Sequence, residues 1–416
     1  MRYHFLWILS LLSTSISALT LDDAYRFSAS HHEQIGIQQE KINQAKAKRD
    51  QAMGALLPYV SFFGSETYQD ASGNSDGSGV SSTLTHSNRP EYKVSVKQSL
   101  FSGFRDRDTV AALDSQIRRE TIYLDQTKRL LFQRVAQAYF RALSIQKDLQ
   151  NIQAVLRLSA SQLADLQRRV RLGKSRENEL LSAQAQSLNF QGQEALLKGQ
   201  LTSAKLALSM LITVPITDEL AFTVSEPSSP PDLQEILSHV SQNPDLLARQ
   251  EDLASQTLLK SVAEHGTMPN LNLGGNYYLK RTTFLDPIKW DVAVTLDIPF
   301  YQGGTDAGLI RESESLRQQI ILDLAERRRQ IVSDITSDHV TYTASIGQIS
   351  LMKQAYEKAR KSYGLYQEDY RLGLINNLEV LQALNNLLEM RRALDQSEVA
   401  FSLAEIQLKL DRQELP

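Results

Sequence analysis

The residue types that most often carry catalysis or bind metals fall into no recognisable pattern in this sequence. His31 and His32 are adjacent, so on a helix they would point at neighbouring angles rather than one turn apart, and we do not expect a metal site there. The chain has no cysteine and its six methionines form no cluster. It also lacks a glycine-rich phosphate loop, a His-Glu-x-x-His motif and a Gly-x-Ser-x-Gly motif. We therefore expect no enzyme activity, no cofactor and no bound metal.

The composition is that of a folded protein, and its charge does not suggest a nucleic-acid partner. The 416 residues are 42% hydrophobic and the net charge is −3, whereas proteins that bind nucleic acid usually carry a basic field. Residues 1–18 are typical of a secretory signal peptide, with Arg2 ahead of an apolar run and Ala18 near a cleavage point. We expect the mature chain to leave the cytoplasm.

The second half of the chain repeats the first. Arg171-Leu172-Gly173 returns as Arg371-Leu372-Gly373, a shift of 200 residues, and the same shift relates further pairs: Glu179 and Glu379, Leu181 and Leu381, Gly103 and Gly303. Self-similarity at a fixed period indicates a duplicated architecture. The sequence predicts two repeats, residues 19–212 and 232–416, joined by a proline-rich linker at 213–231.

Each repeat contains two short segments in which apolar and polar residues alternate, as in β-strands with one apolar face. Trp290, Val292 and Val294 share one face of such a segment, and Asp291 and Thr295 share the other. A soluble antiparallel sheet with one buried face would show the same pattern. However, the segments have about the 9–11 residues of a tilted membrane strand. We predict four membrane strands, at about 58–70, 91–101, 269–281 and 288–300.

Four strands cannot span a bilayer alone, because both edges of the sheet would leave backbone polar groups unpaired in lipid. Several copies of the chain must therefore close one barrel. Two copies would supply eight strands and three would supply twelve, and the residues alone do not choose between them.

Long helices follow each strand pair. From about Phe104 to Leu172 there is no proline, and apolar residues recur every seven positions. A helix of this length spans on the order of 100 Å. Gly173 and Gly373 can adopt the left-handed conformation that ends a helix, so a second helix should return from each glycine, at about 176–211 and 377–412. Shorter helices are predicted at 21–56 and 233–265, the second interrupted at Asn243-Pro244. The tyrosines at positions 342, 356, 363 and 370 are interpreted as helix-packing residues.

Four segments together resemble the TolC-like outer-membrane factor family, and the likeness covers essentially the whole mature chain. They are Pro58-Tyr-Val-Ser-Phe, Met268-Pro-Asn-Leu-Asn-Leu-Gly-Gly, Ile298-Pro-Phe-Tyr-Gln-Gly-Gly304 and Tyr370-Arg-Leu-Gly-Leu-Ile-Asn-Asn-Leu-Glu-Val-Leu-Gln-Ala383. The resemblance implies a mainly α protein with membrane β-strands. It implies a homotrimer with a 12-stranded barrel in the outer membrane of a Gram-negative cell, continued by a periplasmic α-helical barrel of long hairpins.

The resemblance also implies partners and a role. The partners would be a periplasmic adaptor (membrane fusion protein), an inner-membrane transporter of the RND, ABC or MFS type, and outer-membrane lipid. The role would be a passive export channel in tripartite efflux or type I secretion. The alternative is a soluble periplasmic coiled-coil scaffold or adaptor, in which the alternating faces of the strands would be buried.

Site residues are carried over from the family by position. Glu379 matches the first acid of the family's periplasmic gate. At the position of the family's second acid this chain has Gln382, and Glu179 is the equivalent of Glu379 in the first repeat. Three copies of Glu379 around an axis would repel one another and attract hydrated cations. Either glutamate could instead be an ordinary solvated helix residue. The family's adaptor-docking ends correspond to Arg171, Leu172, Gly173, Arg371, Leu372 and Gly373, where simple turn chemistry would also require the glycines.

Overall fold

The computed structural model describes residues 18–69, 88–216, 218–221, 229–282 and 287–414. Residues 1–17 of the expected signal peptide and part of the predicted linker lie outside this range. The described chain is mostly helical with one small sheet. Its elements are α1 (Leu21–His31), α2 (Glu33–Gly54), β1 (Tyr59–Tyr68), β2 (Asn88–Phe101), α3 (Arg105–Arg171), α4 (Glu177–Ile212), α5 (Leu233–Ser238), α6 (Pro244–Glu264), β3 (Asn270–Arg281), β4 (Trp290–Asp297), α7 (Thr305–Leu372) and α8 (Asn377–Asp411).

The long helices predicted from the sequence are confirmed. Helix α3 has 67 residues and α7 has 68, and neither contains a proline that would break the backbone hydrogen bonding. The packing interpretation of the tyrosines is confirmed for Tyr342, Tyr363 and Tyr370, which are buried, whereas Tyr356 is only partly buried. The ring of Tyr342 stacks on Phe401 of α8, with centroids 5.5 Å apart. None of the described helices is both long enough and apolar enough to cross a membrane.

One helix prediction is wrong. The sequence predicts a continuous helix over 21–56, but His32 is in extended backbone with ψ of 129° and separates α1 from α2. Its Nδ1 accepts a hydrogen bond from the backbone N–H of Gln34 at 3.2 Å, which is the role of an N-cap side chain. The interruption predicted at Asn243-Pro244 is confirmed. Helix α6 begins with Pro244, and at this first position its missing N–H costs little.

The sheet is antiparallel with the strand order β1-β2-β3-β4. β2 begins at Asn88, three residues before the predicted start, and β4 ends at Asp297, three residues before the predicted end. The register aligns the apolar residues of all four strands, because Val60 pairs with Val96, Val96 with Gly275 and Gly275 with Val292. The opposite face is mostly polar, and the aromatic rings of Phe63 and Tyr278 on it contact Lys93. The sheet therefore has two chemically distinct faces.

The apolar face is exposed to the surroundings of the chain. Phe62 is 66% exposed, Trp290 is 65% exposed and Val294 is 63% exposed. On the polar face, the hydroxyl of Ser95 donates to Asn276 Oδ1 at 2.7 Å, and Asn276 Nδ2 donates to Asp291 Oδ1 at 2.8 Å. This row of hydrogen bonds crosses three strands and fixes their register.

The chain divides into two compact units, and α3 and α7 contribute to both. The sheet unit comprises the described residues of 37–125 and 244–329. The hairpin unit comprises the described residues up to 36, those of 126–243 and those from 330 onward. In the hairpin unit, Tyr139 is buried in the largest core cluster and its hydroxyl donates to the carbonyl of Leu19 at 2.8 Å. Leu19 also pairs with Leu220 in a parallel β-bridge, which ties the start of the described chain to this core.

An acidic pair lies near the C-terminal end of α8 in the hairpin unit. The amide of Gln407 donates to Asp411 Oδ1 at 3.4 Å, while Asp411 Oδ2 is buried without a hydrogen-bond donor among the described residues. Burial, reinforced by the neighbouring charge of Asp338, raises the pKa of Asp411 to about 7. Burial also raises the pKa of Asp338. Near neutral pH, Asp411 is therefore close to half protonated.

We expect Asp411→Asn to remove a pH-dependent loss of stability. Because the pKa of Asp411 is higher in the folded than in the unfolded chain, the folded state loses stability as the pH rises from about 4 to about 7. Asparagine carries no charge at any pH. The free energy of unfolding of the variant should therefore exceed that of the wild type by on the order of 3 kcal/mol at pH 8, and the two should be equal at pH 4. Thermal unfolding followed by circular dichroism at both pH values measures this difference. An equal difference at pH 4 and pH 8 would contradict the assignment.

Candidate functional site

Two helical hairpins end in the same backbone turn. At the first tip, Gly173 has a φ of +67°, its N–H donates to the carbonyl of Val170 at 2.9 Å, and the N–H of Lys174 donates to that of Arg169 at 2.8 Å. These two bonds form a Schellman motif, which satisfies carbonyls that the end of α3 leaves free.

The second tip repeats this geometry. Gly373 has a φ of +78°, its N–H donates to Tyr370 at 3.1 Å, and the N–H of Leu374 donates to Asp369 at 2.9 Å. A Cβ added at Gly173 or Gly373 would meet no atom within 4 Å. The glycines are therefore required for their positive φ and not for lack of space.

The two return helices begin differently. Asn376 caps α8, since its Oδ1 accepts from the N–H of Glu379 at 3.2 Å and Glu379 Oε1 accepts from the N–H of Asn376 at 3.4 Å. This reciprocal pair is a capping box, and the Asn-x-x-Glu spacing of residues 376–379 is a sequence signal for it. Arg176 occupies the N-cap of α4 and makes no side-chain cap bond. The carboxylate of Glu179 instead accepts from the hydroxyl of Ser175 at 2.9 Å.

The two tips contact each other through Arg169 and Tyr370, a pair that sequence analysis did not single out. The guanidinium of Arg169 lies 4.6 Å from the centre of the Tyr370 ring, and its Nε is 3.0 Å from Asp165. Such a cation over an aromatic face is attractive by about 0.5–2 kcal/mol. Burial raises the pKa of Tyr370, while the charge of Arg169 lowers it. Stacking therefore joins the first hairpin to the second beside the turns.

Behind the tips, buried groups hold the hairpins together. Asn377 is only 1% exposed, and its Oδ1 accepts from Gln162 Nε2 at 2.6 Å. Next to this bond, Leu166, Ala183 and Leu381 form a small apolar cluster. This packing positions the first turn of α8, which carries Glu379.

The predicted site residues fall into two groups in the structure. The tip residues Leu172 and Leu372 are 64% and 74% exposed, and the arginine and glycine beside each of them are exposed as well. Glu179 and Glu379 are partly buried at the third position of their helices, and Gln382 is exposed. Among the described residues, no group of three or more His, Cys, Asp or Glu side chains could hold a metal ion.

Comparison with solved structures identifies the fold. The chain shares its fold with the solved structure of CusC, with a TM-score of 0.82, 18% sequence identity and coverage of 94% of this chain and 91% of CusC. It is similar in the same way to the outer membrane protein VceC of Vibrio cholerae, with a TM-score of 0.81, 16% identity and coverage of 95% and 96%. The fold is thus that of outer-membrane channel proteins.

Comparison of the sequence identifies the family. The family model for outer membrane efflux proteins matches residues 28–213 and 237–410, so this chain belongs to the outer membrane efflux protein family. The outer membrane protein TolC of Vibrio cholerae serotype O1 is 26% identical over 298 residues, which cover 68% of this chain and 67% of that protein. The pyoverdine export outer membrane protein OpmQ of Pseudomonas putida is 25% identical over 390 residues, which cover 88% and 80%. The protein is accordingly an outer-membrane channel-type protein and not an enzyme.

Proposed function

We propose that three copies of this chain form the outer-membrane channel of a tripartite efflux or type I secretion system. In this arrangement the sheets join into a 12-stranded barrel in the membrane, and the duplicated hairpins of the two repeats join into an α-helical barrel in the periplasm. Substrates delivered by an inner-membrane transporter pass through passively, and the transporter selects the cargo. A periplasmic adaptor contacts the hairpin tips.

The observation that carries this proposal is the continuous apolar face of the sheet. In the register of β1 to β4, most of the exposed apolar side chains lie on one side, and the row formed by Ser95, Asn276 and Asp291 lies on the other. In a membrane, the apolar face would contact the lipid chains and the polar face would line a water-filled channel. The outer edges of β1 and β4 would remain unpaired in one copy, so the sheets of further copies must complete the ring.

The first experiment asks whether the purified protein is a trimeric pore. We expect it to fractionate with the outer membrane, to migrate as a cross-linked trimer in detergent and to conduct ions in planar bilayers. A protein that is soluble without detergent and forms no pores would reject the channel. That result would favour the alternative of a soluble periplasmic scaffold or adaptor.

A pair of variants tests the membrane face separately. Val294→Lys places a charge on the apolar face, where it should cost about 2–4 kcal/mol if the residue lies near the bilayer midplane. Thr295→Lys places the same charge on the opposite face of β4 and should be tolerated. Equal yields of assembled trimer for the two variants would contradict the proposed orientation of the sheet.

The proposed gate places three copies of Glu379 close to the channel axis. In the structure, Glu379 does two things, because its carboxylate both accepts a bond in the capping box and carries a charge. The substitution Glu379→Ala would remove both. The substitution Glu379→Gln would keep the capping bond and remove only the charge, since glutamine also serves at this position of a capping box.

We therefore expect Glu379→Gln to lower the ratio of cation to anion permeability at least twofold without changing thermal stability. Loss of three negative charges removes the repulsion of anions and the attraction of cations at the narrowest point. Glu389→Gln, an exposed position further along α8, is the matched control and should keep the wild-type ratio. Gln382→Glu should raise the ratio, and Glu179→Gln should have the smaller effect of the two glutamates. An unchanged ratio in Glu379→Gln trimers would reject the gate assignment.

A further inference from the structure

The first hairpin tip carries four exposed cations, Arg168, Arg171, Lys174 and Arg176, which we call the basic tip. Within the described residues, none of these four side chains forms a hydrogen bond or an ion pair. Their neighbour Arg169 differs, since it pairs with Asp165 and stacks on Tyr370.

Helix chemistry accounts for three of the four cations of the basic tip. Arg168 and Arg171 lie in the last turn of α3, where a cation interacts favourably with the helix dipole. Lys174 lies in the turn that closes α3, so it is also near the C-terminal end of that helix, whereas Arg176 lies at the beginning of α4, where the dipole disfavours a cation. Arg176 also occupies an N-cap position and makes no side-chain cap bond there, whereas Asn376 caps α8 at the equivalent position. An uncapped position typically costs about 1 kcal/mol, so folding alone gives no reason for an arginine at position 176.

The second tip has the same backbone turn but a different surface. Leu372, Leu374 and Leu378 are 74%, 70% and 56% exposed, and together they form what we call the apolar tip. The residue of the first turn equivalent to Leu374 is Lys174, and the residue equivalent to Leu378 is Asn178. Two turns of equal geometry therefore present a cationic surface and an apolar surface side by side.

We propose that the two tips dock two different surfaces of one protein partner, with acidic side chains facing the basic tip and apolar side chains facing the apolar tip. This inference rests on the proposed function, in which the tips contact a periplasmic protein. Charge complementarity argues for carboxylates opposite the four cations. An anionic lipid or cell-wall surface would satisfy the basic tip but would leave the three leucines in water, so a protein fits both surfaces better.

The test uses full-length protein in cells that lack the chromosomal copy. The readout is survival in the toxic compounds to which loss of the wild-type gene sensitises the cells. The basic tip is reversed in the triple variant Arg171→Glu, Lys174→Glu, Arg176→Glu. The matched control is Lys353→Glu, Lys358→Glu, Lys361→Glu, which reverses three exposed cations on α7 away from the tips. All proteins are also purified and measured in planar bilayers.

We expect the tip reversal to lower survival at least tenfold while its pore conductance stays at the wild-type value, and the control to behave as wild type. Selection for restored survival should then yield changes of Asp or Glu to Lys or Arg in one periplasmic protein. Leu372→Ser with Leu374→Ser should also lower survival, and those acidic-to-basic changes should not restore it.

Several outcomes overturn the inference without touching the channel itself. These are wild-type survival of the tip reversal, an equal loss in the control, or failure to recover any acidic-to-basic change. Suppressors confined to genes of lipid headgroups or of the cell wall would assign the basic tip to an anionic surface instead. If the wild-type protein neither conducts nor protects cells, the proposed function fails, and that result is distinct from all of these.

Discussion

Gly103→Ala should destabilise the protein by about 3 kcal/mol, and Gly303→Ala should cost only about 1 kcal/mol. Both glycines follow a strand and both have a φ of +64°, which any residue with a Cβ adopts at a cost. A Cβ at Gly103 would also overlap the side chain of Met268 and lie 3.2 Å from the carbonyl oxygen of His265. At Gly303 the added atom would meet nothing within 4 Å. The difference between the two variants therefore isolates the steric contact.

The unfolding midpoint of each variant in detergent, followed by circular dichroism, measures this difference. The Gly103→Ala midpoint should fall clearly below that of Gly303→Ala, and double substitution should be nearly additive because no contact joins the two positions in the structure described. Removing the Cβ of residue 268, as in Met268→Gly combined with Gly103→Ala, should recover part of the loss, because the added Cβ at position 103 overlaps that Cβ. Equal midpoints for the two single variants would show that the close approach at Gly103 is not made in solution.

Lys147→Met should destabilise the hairpin unit by about 3–5 kcal/mol, because it removes the cation that lies between the partly buried Glu398 and the buried Asp395. Lys147 Nζ lies 2.6 Å from Glu398 and 3.5 Å from Asp395, and Asp395 is only 3% exposed. Arg391 is 3.3 Å from Asp395, and Asn151 donates to it at 2.6 Å, so some partners remain in the variant.

Thermal unfolding followed by circular dichroism measures the destabilisation by Lys147→Met. The matched control is Arg360→Met, which removes the cation of an exposed pair with Glu357 on α7. Exposed pairs contribute about 0–1 kcal/mol, so this control should change little. A loss in Lys147→Met no larger than in the control would mean that the buried carboxylates already have enough partners without lysine.

Sequence periodicity predicted most of the fold because the long elements have strong and simple patterns. Helices α3 and α7 lack proline and keep a seven-residue apolar repeat over most of their length, and all four strands alternate. The break at His32 could not be predicted from periodicity, since it depends on a side-chain bond to the backbone of Gln34. The strand ends at Asn88 and Asp297 depend on pairing with neighbours rather than on local residue type.

The candidate site was predicted only in part, for a comparable reason. Gly173 and Gly373 are visible in sequence because a left-handed turn after a helix favours glycine. The stacking of Arg169 on Tyr370 joins residues about two hundred positions apart, and no local pattern reports such a contact. The gate roles of Glu379, Gln382 and Glu179 remain predictions, and the capping bond of Glu379 gives that residue a structural task as well.

The exposed apolar face of the sheet affects the solubility of the chain before assembly. The hairpin unit has its own buried core around Tyr139, whereas Phe62, Trp290 and Val294 have no protein covering them. A newly secreted copy whose helices have folded still exposes an apolar surface to an aqueous compartment, and exposed apolar surfaces of this kind promote aggregation. We therefore expect that an unassembled copy needs a chaperone to prevent aggregation and needs to insert promptly beside further copies of the chain.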